Sequence, residues 1–325
     1  MSQYLDHKFM QPQVEQYGSH MVMTNVVKSA KLKHIHLDTK YRDETSSSSP
    51  LIDVSFTFPD KITDVRSARI ISAELPFSFY NLTEQECANS TNNVFVFTVN
   101  NAYNHPVTNK IVISPGYINY QTILTAANQV FNSLSIAESA ITSVNVGSKV
   151  SLNYDTTNKQ FYFTAVPGYT IAINFAVDAA SQNNAMNFKS TIGWSMGFRV
   201  PSFTFTGTAP IPNRYAEQTA FFPYPKYFYI AIEDNSRTPN MSVITPTVNG
   251  CSMPRNIIAK IVCDTSVGFG NTIVCTESNG RLISDRRFYG KTDLQRIRVQ
   301  LIDDIGNIVD LNGGELSLTL ILEHE

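Results

Sequence analysis

The stretch RLISDRRFYGKTDLQRIRVQLIDDIGNIVDLNGGELSLTLILEHE, residues 281–325, decides the fold. Within it Ile297, Val299 and Leu301 alternate with Arg296, Arg298 and Gln300, the period of two that marks a strand with one buried face. Asp303-Asp304-Ile305-Gly306-Asn307 follows as a turn, because Asp and Asn side chains bond nearby backbone and Gly306 accepts a positive φ. A second turn at Asn312-Gly313-Gly314 leads into Leu316, Leu318, Leu320 and Leu322, alternating with Ser317, Thr319 and Ile321. So apolar a strand must pair inside a sheet whose other members come from earlier in the chain. The expectation is antiparallel β.

Working outward, the same alternation recurs. Ile35, Leu37, Thr39 and Tyr41 form a first strand, and Ile52, Val54, Phe56 and Phe58 form a second, which Pro59-Asp60 is expected to end. The pattern predicts strands at 32–41, 51–58, 65–75, 199–206, 226–233, 257–263, 272–276, 296–302 and 316–323. Pro223 and Pro225 delay the strand in the aromatic stretch Phe221–Ile232 until Lys226, and 234–254 reads as a long loop. So many antiparallel strands with long connections predict a single antiparallel jelly-roll sandwich.

The texture changes after Cys87. Short strands at Val94–Val99 and Ile111–Ser114 precede a helical stripe of Tyr120, Ile123, Leu124, Ala127, Val130, Phe131 and Leu134, with Asn119 as its N-cap. Strands resume at 150–154, 160–165 and 170–175. This predicts a small α+β insertion module. The expected organisation is an N-terminal arm (1–30), a first jelly-roll part (31–86), the inserted module (87–199) and a second jelly-roll part (200–325). In the arm, Tyr4, Leu5, Phe9, Met10, Tyr17, Met21 and Met23 are more anchors than an inert tail carries. Burial of these side chains against a neighbouring subunit would offset the chain entropy lost on ordering; a frayed terminus is the alternative.

Composition narrows the function. The 325 residues carry a net charge of −2 and only 16% charged side chains, which excludes a basic field for nucleic acid. A chain so poor in charge and rich in β-formers is expected either to be covered by neighbours or to be a secreted β protein. Arg281, Arg286, Arg287, Lys291, Arg296 and Arg298 cluster, and they read as solvated or interface charges. The N-terminus shows no apolar h-region and no run is long enough for a membrane span. Cys87, Cys251, Cys263 and Cys275 share no metal-ligand spacing and read as reduced thiols. The sequons at Asn81, Asn89 and Asn240 read as chance in an Asn-rich chain.

No catalytic, cofactor-binding or metal site is expected. His34, His36 and Asp38 lie on one strand face but lack further ligands at a zinc spacing. Gly268 and Gly270 precede a strand, whereas a dinucleotide fingerprint precedes a helix. Asp303, Asp304 and Asp310 sit where turns want them, although paired carboxylates could serve a glycosidase or a calcium loop. Trp194, between Gly193 and Gly197, reads as a core or inter-domain plug; as an exposed sugar platform it would instead mark a carbohydrate-binding sandwich or a glycan-active enzyme.

One resemblance adds to this reading. Arg286-Arg287-Phe288-Tyr289 followed by RIRVQLIDDIGNIVDLNGGELSLTL is similar to the C-terminal end of penton and minor capsid proteins of large nucleocytoplasmic DNA viruses. RIISAELPFSFYNL, residues 69–82, resembles an early segment of the same family more loosely. The resemblance implies a structural capsid protein, not an enzyme, present in the virion and assembled in the host-cell cytoplasm. It implies a homopentamer at the fivefold vertices, with the major capsid protein and other minor capsid proteins as partners. A minor, cementing position in the same shell is the alternative. No cofactor, direct nucleic-acid contact or membrane span is implied. Arg and Tyr dominate interface hot spots, so Arg286, Arg287, Phe288 and Tyr289, with Tyr4, Phe9 and Tyr17 of the arm, are the expected subunit contacts.

Overall fold

The computed structural model describes residues 13–17, 21–25, 30–43, 51–83, 86–87, 90–91, 93–139, 141–177, 188–189, 191–208, 213–222, 227–234, 256–264, 266–284, 286–304 and 306–325. In chain order, β1 (Gln13–Tyr17) and β2 (Met21–Asn25) form an antiparallel hairpin within the expected arm. They are followed by β3 (Lys31–Asp38) and the 24-residue β4 (Asp53–Pro76). The middle of the chain contributes β5 (Glu86–Cys87), β6 (Ser90–Thr91), β7 (Val94–Asn101), β8 (Val107–Val112), α1 (Tyr120–Ser133), β9 (Ser135–Ala137) and β10 (Ser143–Asn145). It continues through β11 (Val150–Asp155), β12 (Gln160–Ala165), β13 (Tyr169–Asn174), β14 (Ser202–Thr206) and β15 (Asn213–Tyr215). The last part supplies β16 (Tyr227–Glu233), β17 (Ile257–Val262), β18 (Thr272–Thr276), β19 (Leu282–Ser284), β20 (Arg286–Ile302) and β21 (Ser317–His324).

The outer strands build a jelly roll. The first half of β4 lies beside β20, then β16 and β17; the second half lies between β21 and β18, with β3 beyond β21. Successive strands therefore cross between two faces, and all pairings are antiparallel. This is the strand order of a single jelly-roll sandwich. Alternation fills the space between the faces with Val54, Val65, Ile70, Leu75, Ile230, Val299, Leu301, Leu318 and Leu320, each at most 4% exposed. Each such side chain stabilises by about 1.5–3 kcal/mol relative to exposure.

Pro59 does not end a strand, contrary to the sequence expectation. Pairing runs from Thr57↔Arg296 to Ile62↔Leu294, so residues 58–61 fall in a bulge where the missing proline N–H costs no ladder bond. Asp64 then takes a φ of +57°, and its backbone N–H donates to Asp293 Oδ1 at 3.2 Å. At this corner β4 and β20 turn together from one face to the other. β20 also starts earlier than expected, so Arg286 and Arg287 lie inside a strand, opposite Ala68 and Ser67.

A second core belongs to the inserted body. Its four-stranded sheet β14-β13-β7-β8 and three-stranded sheet β11-β12-β15 close, with α1, over Phe95, Phe97, Phe131, Phe161, Phe163 and Phe175. Asn119 caps α1, its side chain accepting from the Thr122 N–H at 3.1 Å. The strand at 199–206 joins this body and not the main sandwich, contrary to the sequence expectation: β14 pairs with β13, and Phe203 packs on Phe198 at 5.3 Å. Ala216 is also buried in this second core, which begins at Leu82. The expected boundaries at 87 and 199 thus lie inside the body they were meant to delimit.

Candidate assembly surface

The corner of β4 and β20 places the basic and aromatic segment at the surface. Arg287 is exposed and Phe288 is half-buried, packed against the main core. Both line an open groove of about 760 Å³ together with Leu32, Arg66, Arg69 and Ile321. Leu32 is 65% exposed there, next to the side chains of an edge strand, β3, and the last strand, β21. Of the expected contact residues, the structure brings Arg287 and Phe288 to this groove. Arg286 and Tyr289 share their strand, but their side chains, and that of Tyr17 in β1, are outside the described residues, as are Tyr4 and Phe9 altogether.

The arginine cluster separates into local pairs. Arg298 grips Asp53 through two bonds of 2.6 Å and reaches Glu233 at 3.3 Å, while Gln300 donates to Asp53 at 3.1 Å. The Arg298 bond holds the Asp53 carboxyl below its usual range, against the opposing effect of burial. Arg281 pairs with Asp264 at 2.6 Å, Arg296 approaches Asp43 at 3.8 Å, and Arg69 meets Glu277 at 3.2 Å on the groove rim. Arg66 pairs with Glu325. Arg66, Arg69, Arg281, Arg296 and Arg298 are therefore each matched by a carboxylate.

The other sequence candidates take structural positions. Asp303 accepts from the N–H groups of Gly306 and Asn307 at 2.7 and 2.8 Å, closing the turn after β20. Asp310 accepts from the Asn312 N–H at 2.6 Å, and Asn312 donates to the Ser78 carbonyl, also at 2.6 Å. His36 contacts Thr319 across the β3–β21 pair at 3.1 Å. Among the described residues no group of three or more His, Cys, Asp or Glu is placed to hold a metal ion. Trp194 is half-buried beside the second core, with the Arg199 guanidinium 3.9 Å from its ring centroid and Phe188 edge-on. A sugar stacking on that face would have to displace Arg199. Cys275 is buried, and burial pushes the Cys263 thiol up to about 12. No helix among the described residues is long and apolar enough to cross a membrane.

Sequence reading passed over the joint between the two bodies. Asn81 donates from Nδ2 to the carbonyls of Ile118 (2.9 Å) and Phe222 (3.0 Å), and its Oδ1 accepts from the Ile118 N–H at 2.7 Å. One side chain thus ties the point where the chain enters the inserted body to the point where it leaves. The backbone pairs of Leu82 and Gly116 (3.0 and 3.2 Å) continue the tie. Phe77, Tyr117 and Phe269 pack around it, with ring centroids 5.1–6.0 Å apart. Using Nδ2 in two bonds also leaves no room for glycosylation at this sequon. The only local signal was an Asn after the aromatic run PFSFY, and its partners are far away in sequence.

No family model matches this sequence. No curated protein matches it. Among solved structures, the selenomethionine-labelled mavirus penton protein aligns over 92% of this chain and 100% of its own, with a TM-score of 0.48 and 11% sequence identity.

Proposed function

We propose that this chain is a structural subunit of a virion, and that it occupies the fivefold vertices of a large icosahedral DNA virus as a penton protein. The observation that carries this reading is where the fold puts the segment that resembles that family. Its alternating parts form β20 and β21, at the middle of both jelly-roll faces, and its basic and aromatic part lines an exposed groove beside edge strand β3. A jelly roll is a wedge with flat flanks, and five identical wedges meeting head to tail make a heterologous ring that closes. The arm of residues 1–30 would tie each subunit to the next. The inserted body comes between β4 and β16 in the chain and has a core of its own, so its strands interrupt none of the jelly-roll pairings. The major capsid protein and other minor capsid proteins are the partners such a ring would meet, in a shell assembled in the host-cell cytoplasm. A minor, cementing position in the shell is the second reading, favoured by a subunit that does not close a ring.

The test replaces Arg286, Arg287 and Tyr289 together by Ala, sparing Phe288 because it packs on the core. The variant should keep the β-sheet circular dichroism and melting of the parent but lose its ring in light scattering. A variant that forms the parental ring would remove this segment from the contact.

A further inference from the structure

The outward face of the three-stranded sheet in the inserted body carries aromatic, hydroxyl and amide side chains in two cross-strand rows. Val150, Leu152, Phe161, Phe163 and Ala165 face the core, so Ser151, Asn153, Tyr162 and Thr164 must face out. The register sets Asn153 opposite Tyr162 and Tyr162 opposite Tyr215; the next row is Ser151, Thr164 and Asn213. Tyr162 and Tyr215 stack with centroids 4.7 Å apart and planes 29° apart, and Tyr215 is 38% exposed on β15, the edge of this sheet.

The hydroxyls and amide are linked. Ser151 Oγ lies 2.7 Å from Thr164 Oγ1, and Asn153 Nδ2 donates to Ser151 Oγ at 2.9 Å and to Thr164 Oγ1 at 3.4 Å. With its donors committed, Asn153 offers its carbonyl oxygen as an acceptor in the row it shares with Tyr162. Of the neighbouring charges, Arg214 lies off this face and Asp155, two residues beyond Asn153, lies on it. Arg214 lies between Asn213 and Tyr215 on the opposite side, over the Phe203 ring at 5.0 Å and paired with Glu217. Asp155, at the end of β11, spends its oxygens on Thr157 and Asn158, yet it stays negative and near Tyr162.

We propose that this face, with the Tyr162–Tyr215 stack at its centre and Asn153, Ser151, Thr164 and Asn213 around it, binds a neutral oligosaccharide. An aromatic ring takes the apolar C–H side of a sugar, and fixed hydroxyl and amide groups take its hydroxyls. The two rows cross three strands, a width of about 10 Å. The Asp155 carboxylate disfavours acidic sugars by like charge. The stack, not Trp194, is the sugar platform. The proposal does not depend on the assembly reading, because none of these residues lies in the jelly roll.

Calorimetric titration of the full chain with maltotetraose, cellotetraose and N-acetylchitotetraose, with 3′-sialyllactose as the acidic comparison, tests it. At least one neutral sugar should bind. Tyr215→Ala should weaken it about tenfold, the worth of one aromatic contact, while Tyr215→Phe should retain it. Both variants should keep the parental circular dichroism and solution mass. Three results would each overturn the proposal: no neutral sugar bound at about 10 mM, a Tyr215→Ala affinity equal to the parent, or preference for the sialylated sugar. A mass change in Tyr215→Ala without sugar binding would assign the face to contact between copies and overturn it too.

Discussion

Asn81→Asp changes one atom type and leaves the shape intact. The carboxylate still accepts from the Ile118 N–H, but its second oxygen faces the carbonyls of Ile118 and Phe222 where Nδ2 had donated at 2.9 and 3.0 Å. Two lost hydrogen bonds cost about 1 kcal/mol each, and a part-buried charge beside two carbonyl oxygens adds about 1 kcal/mol. The expected loss at pH 7 is about 3 kcal/mol. Those same carbonyls raise the folded pKa of the new carboxyl above its unfolded value. The penalty therefore grows as pH rises through the unfolded value and shrinks on acidification, when a protonated oxygen can donate to one carbonyl again. A rise of one unit returns about 1.4 kcal/mol. Urea unfolding at pH 7 and pH 4, read from the fluorescence of the single tryptophan, Trp194 in the inserted body, measures both. A variant within about 0.5 kcal/mol of the parent at pH 7, or one whose deficit grows at pH 4, would refute the clasp.

Leu320→Ala, in the middle of β21 at 3% exposure, should cost about 2–5 kcal/mol in denaturant unfolding. Gly193→Ala should destabilise the inserted body by about 1–3 kcal/mol, because the new Cβ would lie 2.2 Å from Phe175 Cγ; thermal unfolding followed at Trp194 reads this. The Asp53–Arg298 grip is half-open to solvent and contributes about 1 kcal/mol. Because Asp53 titrates lower when folded, that contribution is present above the unfolded value of 3.8 and is lost as pH falls below it. Arg298→Ala should remove it, and the stability difference between parent and variant should close on acid titration.

The jelly roll was legible because most of its strands bury one face only, which writes a period of two into Ile297–Leu301 and Leu316–Leu322. What alternation does not encode is the sheet a strand joins. Phe203 and Phe205 announce a strand equally well in either body, and only packing on Phe198 and Phe163 sends β14 to the second core. Pro59 misled for a related reason: a proline ends a strand only where its N–H is needed, and the bulge opposite Leu294–Arg296 removes that need. At the candidate surface, Arg287 and Phe288 were legible as a basic and aromatic run, but the groove also takes Leu32, Arg66 and Ile321 from distant strands. Tyr162 reads as an ordinary strand residue and Tyr215 falls outside every expected strand, and only the register makes them a stack.

A vertex subunit must close into a ring of five. Light scattering of the purified chain across a wide concentration range tests it most directly. The expected mass is near five times the 36.3 kDa subunit, and it should be lost when residues 1–30 are removed. A mass of one subunit at every concentration would contradict it.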